Sequence, residues 1–69
     1  MIPVQSSNID AVDYDPTCSK LTVRFKNSGV YIYDKVSQEE FEGLISAESV
    51  GKYLNKVIKN DNHPYTKVA

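Results

Sequence analysis

The sequence predicts an α+β fold: a three-stranded antiparallel β-meander followed by two α-helices packed on the sheet, in the order β-β-β-α-α. Three observations predict it. Leu21, Val23 and Phe25 alternate with Thr22, Arg24 and Lys26, a period of two that belongs to a strand with one buried face. Past Val36 the period changes: Phe41, Leu44 and Ile45, then Val50, Tyr53, Leu54, Val57 and Ile58, recur at helical spacing. A length of 69 residues allows a single domain, residues 1–69, around one small core.

The elements follow in order. Ile9 to Asp15 forms the first strand, with Val12 and Tyr14 on one parity, and Ser6, Ser7 and Asn8 form an edge or cap before it. Asp15-Pro16-Thr17-Cys18-Ser19 is a turn, because Pro16 fixes its φ angle and Asp15 can cap it. The second strand is Leu21 to Phe25, and Lys26-Asn27-Ser28-Gly29 is a hairpin turn in which Gly29 takes positive φ. In the third strand Tyr31 and Tyr33 share one face, Val30 and Ile32 the other. Two partly apolar faces fit a central strand or a second covered surface such as a dimer contact. Ser37-Gln38-Glu39-Glu40 is a capping box that opens the first helix, with Val36 and Phe41 placed as a hydrophobic staple. Gly43 costs that helix about 1 kcal/mol relative to Ala, or lets another chain segment approach closely. Ser49 caps the second helix, which Asn60-Asp61-Asn62-His63-Pro64 ends, and Tyr65 returns to the core as an anchor for the tail. The expected sheet core is Val12, Tyr14, Leu21, Val23, Phe25 and Tyr33.

Composition excludes several classes. One cysteine, Cys18, forbids an internal disulfide, and with one histidine, His63, it also excludes a structural zinc site of the Cys/His type. No apolar run is long enough to span a membrane, and the N-terminus lacks the pattern of a signal peptide, so a cytoplasmic protein is expected. Eight basic against nine acidic residues give a net charge of -1, against broad electrostatic binding to duplex DNA. A local basic patch is compatible with the lysines between Lys35 and Lys67. Catalysis has little support: neither Cys18 nor His63 has a sequence-evident partner, and turn capping and helix-dipole preference account for the carboxylates. No enzyme activity and no cofactor are expected.

Several stretches in series resemble the KTSC domain family. They are Ser6-Ser7-x-Ile9, Val12-x-Tyr14-Asp15, Leu21-x-Val23-x-Phe25, Gly29-x-Tyr31-x-Tyr33 with Val36, and Ala47-x-Ser49-x-Gly51-Lys52-Tyr53-Leu54-Asn55 with Ile58. The module is named for its similarity to the C-terminal part of some lysyl-tRNA synthetases and occurs as short bacterial and phage proteins. The resemblance runs from Val4 to Tyr65, with Leu54 where an aromatic is common and Ser37 where Pro often follows the valine. Much of the pattern is core, which identifies a fold rather than a chemistry, and the resemblance implies no catalytic residues.

The segment Ser49 to Asn55 is the leading candidate for a site. If Ser49 caps the second helix, the first amides, the open Gly51 and the Lys52 ammonium would form an anion site, with Asn55 as a polar specificity group. It is not a P-loop, because the full glycine signature is absent. Gly51 as a packing glycine and Lys52 as a solvated lysine explain the same residues. Tyr31 and Tyr33 on one face could stack a nucleobase, or tile the margin of a small core. Arg24 could clamp a phosphate, or pair across strands with Asp13 or Asp34.

Together these predict a non-enzymatic binding module for a phosphate-bearing small molecule. The expected ligand is a nucleotide or nucleotide-derived signal, held in a surface groove or across a homodimer seam. In a phage-encoded copy such binding would withhold a host signal. Two other readings stand beside it. One is an RNA- or tRNA-binding module using Lys35, Lys52, Lys56 and Lys59, implied by the synthetase resemblance. The other is a protein-interaction or assembly module using Val30 and Ile32.

Overall fold

The computed structural model describes residues 1–59 and 63–69, and of residues 57–59 only the backbone. The order is β1 (Ile2–Pro3), β2 (Ile9–Asp15), β3 (Lys20–Phe25), β4 (Gly29–Tyr33), α1 (Gln38–Ser46), α2 (Val50–Tyr53), a π-helical segment (Leu54–Lys59) and β5 (Tyr65–Lys67). The architecture is α+β, and the sheet has five antiparallel strands in sequence order rather than three. The two additional strands are the edges. Two and three residues are too few to show a period in sequence, and Pro3 in β1 is tolerated because an edge strand needs fewer amide donors.

Each turn has a local cause. The Ser6 hydroxyl accepts the amides of Asn8 (3.2 Å) and Ile9 (3.3 Å), which turns the chain into β2. Asp15 accepts the Thr17 amide (3.0 Å) and hydroxyl (2.6 Å), and the hydroxyl bond above all holds its carboxyl below the usual range. Gly29 takes φ +90, and a Cβ there would lie 2.8 Å from the Ala69 carbonyl carbon, so the glycine serves both the turn and the approach of the tail. Ser37 and Glu40 complete the capping box of α1, at 3.1 Å and 3.0 Å.

One layer of core lies between the sheet and the helical segments: Ile9, Val12, Leu21, Val23 and Tyr33 from the sheet, Val36, Leu44, Val50 and Leu54 from the other side. Tyr14 and Phe25 sit at its margin, half-buried. Tyr14 stacks on Phe41 at 4.8 Å and donates its hydroxyl to the Val36 carbonyl (2.6 Å). The second helix departs from expectation: its α-helical part is four residues, after which it widens to π geometry. Val57, Ile58 and the expected stop at Asn60-Asp61-Asn62 lie outside what is described of side chains or backbone. No helix among the described residues is long and apolar enough to cross a membrane.

Candidate functional site

The register decides which rings meet. Val23 pairs with Tyr31 and Tyr31 with Lys67, while Leu21 pairs with Tyr33 and Tyr33 with Tyr65. Since paired residues share a face, Tyr31, Tyr33, Tyr65 and Lys67 extend the core face of the sheet toward β5. Tyr33 is buried at 3% exposure, Tyr31 is half-buried, and Tyr65 is 64% exposed. Phe25 meets Tyr31 edge-on at 5.4 Å, and Tyr65 lies 5.9 Å from Tyr31 and 5.8 Å from Tyr33. These rings border an open cleft of about 620 Å³, lined among the described residues also by Ser28, His63 and Pro64. The Lys67 ammonium stands 6.0 Å from the Tyr31 ring centre, within cation–π reach. Burial first, then the neighbouring Tyr31 and Tyr65, push the Tyr33 hydroxyl above its ordinary pKa, so it stays a protonated donor at neutral pH.

A second cleft of about 270 Å³ adjoins the first, since Phe25 and Ser28 line both. Asn8, Asn27, Gly51 and Asn55 supply the rest of its rim, with Ile9 and Leu54. The Asn8 loop is fixed by the Ser6 turn and by a bond from the Lys26 amide to the Asn8 carbonyl (2.8 Å). Gly51 and Asn55 are four residues apart, one turn along the second helical segment.

His63 holds the far side of the aromatic cleft in place. Its Nδ1 is 3.0 Å from the Asp34 carbonyl oxygen and its Nε2 is 3.0 Å from Glu40 Oε2, with the side chain only 9% exposed. Both partners are acceptors, so the arrangement is complete with a proton on each nitrogen. Burial raises the Glu40 pKa, but the hydrogen bonds from the Ser37 backbone and His63, with the His63 charge, outweigh it and leave the carboxyl lowered. The tail is therefore tied to the capping box of α1, a contact no spacing in the sequence indicates.

The seven candidate residues fall into four places. Tyr31 and Tyr33 line the aromatic cleft; Gly51 and Asn55 line the adjoining polar one. Ser49 is the cap of α2 and accepts the Lys52 amide at 3.4 Å, while its carbonyl accepts the Tyr53 amide at 3.0 Å; the Lys52 side chain is exposed. With four α-helical residues behind that cap, the aligned dipole is short. Arg24 is on the opposite face of the sheet, and its partner is Asp10 (3.0 Å), not Asp13 or Asp34. The register shift between Ile9 and Ala11 is the reason: Ala11 faces Arg24, which brings Asp10 alongside. Asp34 stands 3.7 Å from Lys20 instead. Val30 and Ile32 are half-buried on the face away from the helices. Of the alternative basic set, Lys35, Lys52 and Lys56 are exposed, and the Lys59 side chain lies outside the described residues. Phe25, Ser28, Asn8, Asn27 and His63 were not singled out as binding residues. Tyr65 does not return to the core as expected: it is 64% exposed, and its place in β5 opposite Tyr33 puts its ring at the mouth of the cleft.

The meander, with helices over part of one face and rings over the remainder, defines a small α+β domain with an open aromatic margin. The chain belongs to the KTSC domain family, whose pattern matches residues 5–62. The crystal structure of a KTSC domain protein from Yersinia pestis superimposes with a TM-score of 0.92 at 33% identity, covering 97% of this chain and 93% of that one. A protein of Tsukamurella paurometabola is 42% identical over 59 residues, 86% of this chain and 88% of the relative. A lysine–tRNA ligase of Nostoc is 37% identical over 59 residues, and there the match spans 10% of the ligase.

Proposed function

We propose that this protein is a non-enzymatic binding module for a small molecule with a flat aromatic group, nucleotide-derived, held in the groove that the two clefts form together. The observation that carries the reading is their junction. The three rings Phe25, Tyr31 and Tyr65 flank a cleft large enough for a base, and it shares Phe25 and Ser28 with a polar cleft lined by Gly51 and Asn55. The cations offered to an anionic tail on the ligand lie outside the clefts, Lys67 over the Tyr31 ring and the exposed Lys52, which follows Gly51 in the chain. Aromatic stacking supplies affinity without sequence-like specificity; the polar cleft supplies selection.

Thermal unfolding with a panel of nucleotides tests it. A ligand at about 100 times its dissociation constant stabilises the fold by roughly 2.7 kcal/mol. Tyr31→Ala abolishes that shift, and Lys52→Glu or Lys67→Glu reduces it for phosphorylated ligands only. No shift with any nucleotide, nucleoside or base sinks the reading.

A second reading, contact with single-stranded RNA, is favoured by the similarity to the Nostoc lysine–tRNA ligase. It predicts affinity for oligoribonucleotides that falls steeply with salt and depends on Lys35, Lys52 and Lys56 together.

A further inference from the structure

We infer that the cleft bounded by Asn8, Asn27, Ser28, Gly51 and Asn55 is a subsite for vicinal hydroxyl groups, the sugar part of a ribonucleoside, an inference that rests on the aromatic cleft holding the base. Three observations carry it. The polar side chains among the cleft's lining residues are those of Asn8, Asn27, Asn55 and Ser28, beside Ile9, Phe25 and Leu54, and none of the described lining residues is charged. Carboxamides both donate and accept, as sugar hydroxyls do, whereas a phosphate only accepts and calls for cations or amide donors. The cleft borders the aromatic one at Phe25 and Ser28, which line both, so the two are adjacent as a base and its sugar are.

The third observation is Gly51 itself. It does not hold a positive φ, and among the described residues a Cβ built on it meets only the Ser6 hydroxyl, at 3.5 Å, an ordinary contact. Nothing among the described residues therefore requires a glycine there, although glycine in a helix is unfavourable relative to alanine. What the missing side chain does is keep that wall of the polar cleft open. A residue unfavourable for the fold and favourable for a cleft is the pattern expected of a binding position.

The test is a two-dimensional 1H–15N NMR titration with adenosine, guanosine, cytidine and uridine, their 2′,3′-dideoxy counterparts, and the free bases. The inference expects the Gly51 amide and the Asn8, Asn27 and Asn55 side-chain amides to shift with at least one ribonucleoside. It also expects the dideoxy form of that nucleoside to bind about tenfold more weakly, the cost of leaving hydrogen-bonding groups unpaired. Gly51→Ala raises the melting temperature yet weakens the ribonucleoside several-fold. Asn55→Leu removes the difference between ribose and dideoxyribose, with the far-ultraviolet spectrum as the check on folding. Equal affinity for ribose and dideoxyribose forms, with shifts confined to Phe25, Tyr31 and Tyr65, overturns the inference and leaves the aromatic reading standing. Shifts at neither cleft with any compound overturn the inference, and the aromatic reading falls with it when no nucleotide shifts the melting temperature either.

Discussion

α1 and the helical segment that starts at Val50 carry one glycine each, and the surroundings of the two differ. At Gly43 an added Cβ would lie 2.7 Å from Cζ and 3.1 Å from Cε2 of Tyr53, so the ring of the second segment occupies the place of a side chain on the first. At Gly51 the corresponding position meets, among the described residues, only a hydroxyl at ordinary contact distance. α1 is regular over nine residues with a two-way capping box, and its far end stops on the backbone bond from Ala47 to Leu44. The second segment has a one-way cap, four α-helical residues and a π-helical continuation. Packing accounts for α1 in full. In the second segment the glycine, the departure from α geometry and a cleft-lining asparagine fall within five residues, as they do where a helix serves something besides the core.

The largest effects test whether both segments hold the core equally. Leu44 and Leu54 are almost wholly buried, at 0% and 1%. Each changed to alanine should cost about 2–5 kcal/mol in chemical denaturation, enough to unfold much of so small a domain. A cost for Leu54→Ala far below that of Leu44→Ala would break the comparison, because the π-helical segment would then be only loosely attached. The glycines sharpen it next. Gly43→Ala should destabilise by about 1 kcal/mol, the overpacking against Tyr53 exceeding the gain in helix propensity. Gly51→Ala should stabilise by up to about 1 kcal/mol. In a Tyr53→Leu background the penalty at Gly43 should vanish while the effect at Gly51 stays, which a double-mutant cycle measures.

The parts legible in the sequence are those where one residue type meets one geometric demand. The alternation in β3, the capping box at Ser37 and the positive φ of Gly29 needed no tertiary information. Gly43 was legible as a choice between cost and close approach, and the structure supplies the approaching group. What could not be read depends on register. The shift between Ile9 and Ala11 gives Arg24 the partner Asp10, and the pairing of Tyr33 with Tyr65 turns a tail tyrosine into a wall of the aromatic cleft. Two-residue and three-residue edge strands leave no period to detect. The candidate site was half legible for the same reason. Tyr31, Tyr33, Gly51 and Asn55 stand out by type and spacing, while Phe25, Ser28, Asn8 and Asn27 join them only through the hairpin and the Ser6 turn.

The smallest expected effect concerns how the two segments begin. The cap of α2 ends at Ser49, but the cap of α1 continues outward: Glu40 accepts the Ser37 amide with one oxygen and faces His63 with the other. Its carboxyl is lowered in the folded protein relative to the unfolded chain. A lowered carboxyl contributes stability in full above its unfolded value and loses it as pH falls through the folded value. The unfolding free energy of the protein should therefore decline on the acid side of the ordinary glutamate range more steeply than that of Glu40→Gln. Above that range, where Glu40 is fully ionised in both states, the two should run parallel. Among the described groups, Asp34 and its neighbour Lys20 lie nearest this junction, and Asp34→Asn should leave the difference in place, because His63 bonds the Asp34 backbone and not its carboxylate. An acid limb unchanged by Glu40→Gln would mean that the bond to His63 adds nothing to the cap. α1 would then start as α2 does, from its own serine alone, and the wall of the aromatic cleft would rest on the pairing of β4 with β5.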